Sequence, residues 1–147
     1  MRNNLYENVY VQKANNFNTA IADGDFPASG SYIDVSDFTH FAFLILVGTL
    51  DSALVCKVQQ ATAADGATSD VSGATLTVAA DDDNEWKSIE VEAAKLNIAN
   101  DYHFVTLDVA GAAGSNDYLC IVFQGWNARH APVTQPAGYT EAVEVLG

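Results

Sequence analysis

Ten consecutive residues, Phe38 to Val47 (FTHFAFLILV), carry three phenylalanines and four large aliphatic residues and no charge. The run is too short to cross a hydrocarbon layer as a helix, which takes about 20 residues. Its β-branched and aromatic content, bounded by Ser36-Asp37 and Gly48-Thr49, predicts a strand. Both of its faces are apolar, so the pattern predicts a central strand covered on both sides. Tyr118–Phe123 (YLCIVF) has the same two-faced character and is its expected neighbour in the middle of a sheet.

Alternation marks the other strands. Leu54, Cys56 and Val58 share one face of 53–60, which is expected to form a hairpin with 38–47 across a short polar turn. Ile89 and Val91 alternate with Ser88 and Glu90, and Val105, Leu107 and Val109 line one side of a strand over 102–109. Shorter strands are expected at 32–35 and 74–78. The patch 5–11 reads either as an edge strand or as an arm that pairs with a neighbouring chain. Turn formers fill 22–30, 61–73 and 111–116, and 92–96 fits one helical turn. From Gly125 onward, two of the three prolines mark an irregular tail. Roughly seven or eight short strands with turn signals about every 8–12 residues predict an all-β, single-domain sandwich of jelly-roll type with an extended N-terminal arm. In this division residues 1–30 are arm and loop, and 31–147 are the sandwich with its irregular C-terminal tail.

The length of 147 residues suits one domain with a substantial core. Charge adds something the pattern does not: 19 acidic residues against 6 basic ones give a net charge of −13. That field repels phosphate backbones and argues against nucleic acid as a partner, while it suits docking onto a basic protein patch. Cys56 and Cys120 lie inside predicted strands without C-x-x-C spacing, which fits reduced, buried thiols better than a disulfide framework or a zinc site. The first residues contain no apolar core of signal-peptide length, so synthesis in a cytoplasm and no membrane partner are expected.

Candidate chemistry is sparse. His40, His103 and His130 sit in core-like or irregular settings, and a metal site is not expected from them. The acidic run 81–85 lacks the spaced ligands and glycine turn of a calcium loop and reads as a solvated loop. No nucleophile elbow and no phosphate-cradling loop is present, so neither an enzyme nor a cofactor is expected. Trp86 and Trp126, with Tyr32, Tyr102 and Tyr118, offer a reading of another class, the aromatic platform of a carbohydrate-binding module. The competing use of such residues is as core-edge or interface anchors.

Five segments carry a resemblance: Ser31-Tyr32-Ile33-Asp34-Val35, Phe41-Ala42-Phe43-Leu44-Ile45-Leu46-Val47-Gly48, Val58-Gln59-Gln60-Ala61-Thr62, Tyr102-His103-Phe104-Val105-Thr106-Leu107 and Ala128-Arg129-His130-Ala131-Pro132-Val133. In this order they resemble small structural proteins of tailed bacteriophages, over roughly residues 31–133. The resemblance implies a capsid decoration protein, a homotrimer on the outer surface of the head that bridges and stabilises major capsid protein subunits. Tail-tube, tail-terminator or head–tail connector proteins are the nearest rivals. Under this reading the expected partner contacts are Tyr6, Val9 and Tyr10 of the arm and Trp126, Arg129 and Pro132 of the tail.

Overall fold

The computed structural model describes residues 8–113, 115–130 and 133–137, and the structural statements that follow concern those residues. The strands are β1 (Tyr10–Lys13), β2 (Gly24–Phe26), β3 (Ile33–Asp34), β4 (Phe38–Val47), β5 (Leu54–Ala61), β6 (Ser69–Val78), β7 (Trp86–Glu92), β8 (Phe104–Ala110) and β9 (Leu119–Ala128). Two short 3-10 turns, Ala93–Lys95 and Ile98–Asn100, separate β7 from β8. The helical turn expected at 92–96 is the first of these.

All pairings are antiparallel, in two sheets. Sheet A has the order β1-β9-β4-β7, and sheet B runs β2-β8-β5-β6 with β3 also on β8. The pairs are nested along the chain. The first strand meets the last (β1 with β9), then β2 and β3 meet β8, β4 meets β7, and β5 meets β6 at the centre. The fold is therefore all-β, with its two sheets contributing to one core.

That core follows from the alternation. Phe41, Phe43 and Ile45 of β4 and Ile121 and Phe123 of β9 are fully buried, as are Leu54, Cys56 and Val58 of β5 and Val105, Leu107 and Val109 of β8. The Phe123 ring stacks on Phe41 at 5.8 Å and meets the edge of Phe43 at 5.4 Å, two arrangements favoured by aromatic quadrupoles. The expected pairing of the two apolar runs is present: β4 and β9 are in register from His40 opposite Trp126 to Val47 opposite Leu119. At the end of this ladder Asn127 takes a left-handed conformation (φ 53°), and the Phe38 ring lies over Gly125. A Cβ on Gly125 would stand 2.9 Å from that ring, so only glycine fits there.

Five expectations need correction. Residues 24–26, inside the loop expected at 22–30, form β2 on β8. β4 and β5 do not form a hairpin, because they belong to different sheets and the segment between them is a crossover. Asp117 holds that crossover: its fully buried carboxylate accepts the N–H groups of Asp51 (2.7 Å) and Ser52 (3.1 Å), the Ser52 hydroxyl (2.8 Å) and the Ala113 N–H (3.2 Å). A buried carboxylate is tolerable only when saturated in this way. Strand β9 continues through Ala128, where an irregular tail was expected from Gly125, since its backbone stays paired with β4 and β1. Residues 69–73 belong to β6, so the expected loop is shorter than 61–73. Finally, among the described residues β4 is covered on one side only.

Replacing Asp117 with alanine leaves several crossover donors without their acceptor. Asp117→Ala is expected to lose at least about 2 kcal/mol of unfolding free energy, and Asp117→Asn less, since it retains one oxygen acceptor. Urea unfolding monitored by tryptophan fluorescence measures both; equal stability of Asp117→Ala and the parent would contradict the role assigned to this carboxylate.

Candidate binding face

Side chains alternate across a strand, so every residue of β4 that does not enter the core points out of sheet A. The register then writes the outer face as four rows. The first holds Trp86, Leu46 and Cys120, and the second Ser88, Leu44, Val122 and Lys13. The third holds Glu90, Ala42, Gln124 and Val11, and the fourth Glu92, His40 and Trp126. Trp86 is 72% exposed and Leu46 42%; Leu44, Cys120, Val122 and Val11 are half-buried. His40 stacks flat on Trp126, with ring centroids 5.9 Å apart and planes 15° from parallel. An apolar, aromatic band thus crosses the outside of the sheet, where two covering layers were expected for β4. Among the described residues no layer lies over it.

The outer face of sheet B has the opposite character. Asp25, Asp108 and Lys57 lie side by side across β2, β8 and β5. Lys57 pairs with Asp70 at 3.2 Å, and the Gln59 side-chain amide donates to the other Asp70 oxygen at 2.8 Å. Those two hydrogen bonds, Gln59 first, hold the Asp70 carboxyl below its ordinary range. Burial, reinforced by the charge of Asp25, pushes Asp108 up. Thr106 is buried and donates its hydroxyl to the Pro27 carbonyl at 2.7 Å, and Tyr32 donates to Asp25 at 2.7 Å. Val55, 37% exposed, is the large apolar residue open on this side.

The residues expected to contact partners fall into four groups. Tyr6 and Pro132 lie outside the described residues. Val9 and Tyr10 are tied to the body: the Gln135 side chain donates to the Val9 carbonyl at 2.6 Å and accepts the Val11 N–H at 3.0 Å, on the free edge of β1. Tyr10 turns inward onto Phe38 (5.6 Å) and Phe123 (6.0 Å) and is a core-edge residue. Trp126 belongs to the outer face of sheet A. Arg129 is exposed just past β9, its backbone N–H donated to Asp37 O at 2.7 Å. Residues Leu44, Leu46 and Val122 were missed as surface residues; their signal was the second apolar face of two strands in a chain that has only two sheets.

The aromatic platform does not assemble. Trp86 and Trp126 stand opposite Leu46 and His40, six residues apart along β4, which places them roughly 20 Å from each other. Tyr32 is buried against Asp25, and Tyr102 and Tyr118 precede β8 and β9. The histidines occupy separate settings, His40 on Trp126, His103 against Phe104 at 4.7 Å and His130 3.6 Å from Asp37. Among the described residues no group of three or more His, Cys, Asp or Glu side chains is arranged to hold a metal ion. In the acidic run, Asp82 accepts the Ala79 N–H (2.6 Å) and Lys87 (2.9 Å), and Asp83 accepts the Leu50 N–H (2.9 Å). These carboxylates shape the turn between β6 and β7. A cleft of about 370 Å3 opens between β1 and β3, lined by Tyr10, Gln12, Tyr32, Asp34, Asp37 and His130 among others.

Comparison of the chain with protein-family models, curated proteins and solved structures finds no match.

Two measurements test the contrast between the faces. Burial and the Asp108 charge push the Cys56 thiol up to about 12, whereas Cys120 opens onto the outer face of sheet A. Maleimide labelling read by mass spectrometry should modify Cys120 in the native protein and Cys56 only on unfolding; equal native rates would contradict the placement. Because the folded pKa of Asp108 is raised, its ionisation opposes folding at neutral pH, and the penalty fades as pH falls through that folded value. Asp108→Asn should therefore melt above the parent at pH 7, with the gain shrinking in acid. A gain that grows toward low pH would reverse the assignment.

Proposed function

We propose that this chain is a structural protein of a tailed-phage virion, a capsid decoration protein that binds the outer surface of the head and bridges major capsid protein subunits. In this reading the body is a jelly roll, which the nested strand pairing and the division into two sheets support. The chain ahead of β1 serves as an arm toward a neighbouring subunit.

The single observation that carries the reading is the opposite character of the two outer faces. Sheet A presents an apolar, aromatic band suited to a protein contact, and sheet B presents carboxylates and polar side chains. A protein that stands between copies of itself and a shell needs two different surfaces. With a net charge of −13, its polar surfaces favour docking onto Lys- and Arg-rich patches of the shell. Many equivalent sites on a symmetric shell allow each contact to be weak.

Co-sedimentation tests it: the purified chain is mixed with heads assembled from the major capsid protein of the same virus. The expected result is stoichiometric binding that weakens as salt screens the acidic surface. Absence of binding at low salt would overturn the reading, and a ring of six or more chains in solution would favour a tail-tube, terminator or connector protein instead.

A further inference from the structure

We infer that the outer face of sheet A packs against the same face of a second copy, about a two-fold axis running along the strands. The apolar band of Trp86, Leu46, Leu44, Cys120 and Val122 needs a cover, and charge decides which one fits. Among the described acidic residues, only Glu90 and Glu92 stand on the rows of this face, both in the β7 column. Lys13 stands in the column at the other edge, β1. A two-fold axis along the strands lays the β7 column of one copy over the β1 column of the other. Glu90 then comes within one row of Lys13 of the second copy, and the symmetry makes this contact twice. Two copies that repel each other everywhere else can therefore approach through this face.

Its size sets the strength. Four strands about 4.8 Å apart and four rows about 7 Å apart make a face of roughly 500 Å2. Pairing two such faces buries about 1,000 Å2 in total, the lower edge of specific interfaces. The pair is accordingly weak and concentration-dependent. Because the contact is apolar between two chains of −13 charge, added salt strengthens it by screening their repulsion. The face is the one that the proposed function reserves for a subunit contact, but the pairing does not depend on heads being the other partner. A chain that pairs yet ignores heads, and one that binds heads yet stays monomeric, separate the two proposals. The isologous pair also differs from the trimer that the resemblance implies.

Sedimentation equilibrium of the full chain from micromolar to near-millimolar concentration tests this, at about 0.02 M and about 0.3 M salt. A monomer–dimer equilibrium that tightens in salt is expected. Leu46→Glu should raise the dissociation constant at least tenfold, while Val55→Glu, at a similarly exposed position on sheet B, should leave it unchanged; melting curves check that both variants fold. Lys13→Glu and Glu90→Lys should each weaken the dimer, and the double variant should restore it. A monomer at every concentration, a trimer, a dimer indifferent to Leu46→Glu, or failure of the double variant to restore pairing would overturn the proposal.

Discussion

A strand that is apolar on both sides, set in a sheet whose outer face none of the described residues covers, leaves part of its hydrophobic surface in water. Strand β4 is in that position. Its inward residues Phe41, Phe43 and Ile45 close the core against β5 and β8 and are fully buried. Its outward residues Leu44 and Leu46, beside Cys120 and Val122 of β9, meet solvent. Contiguous exposed apolar surface of several hundred Å2 is rare on a monomer unless something docks there. The same strand pair thus does two jobs. It organises the interior, and it supplies the surface that most needs a partner.

The remaining structure keeps that pair in place. Nested pairing puts β9 and β7 on either side of β4, so the apolar band runs over β9 and β4 to Trp86 on β7, and the edge columns also carry Lys13 and the glutamates of β7. The Gln135 side chain occupies the backbone of β1 at its open edge, which limits edge-to-edge pairing. Asp117 fixes the crossover that sends the chain from sheet A to sheet B, and that crossover determines which strands share an outer face. Burying a carboxylate costs desolvation, and the four donors aimed at Asp117 offset that cost in one loop arrangement only.

Much of this was legible in the sequence. The alternation of Leu54, Cys56 and Val58, and of Val105, Leu107 and Val109, located the inner faces, and the two uninterrupted apolar runs located the central pair. The β4–β5 hairpin failed because a short polar linker looks the same whether it turns within a sheet or crosses between sheets. What distinguishes the two is Asp117, 65 residues and more away in sequence. The candidate face was half legible. Trp126 was singled out, but Leu44, Leu46 and Val122 were assigned to a covered layer, since hydrophobicity alone cannot separate a core face from an interface. Tyr10 was expected as a contact residue from the alternating patch around it; its ring packs on Phe38 and Phe123 and also lines the cleft beside β1.

We propose that the outer face of sheet A is the surface on which copies of this chain meet. Cys120 stands in the first row of the face beside Leu46 and reports on it directly. The rate at which its thiol is labelled, followed from micromolar to near-millimolar protein, is the most direct test. The Cys120 rate is expected to fall as concentration rises. A Cys120 rate that is independent of concentration, while the chain associates by mass, would place the contact elsewhere and contradict it.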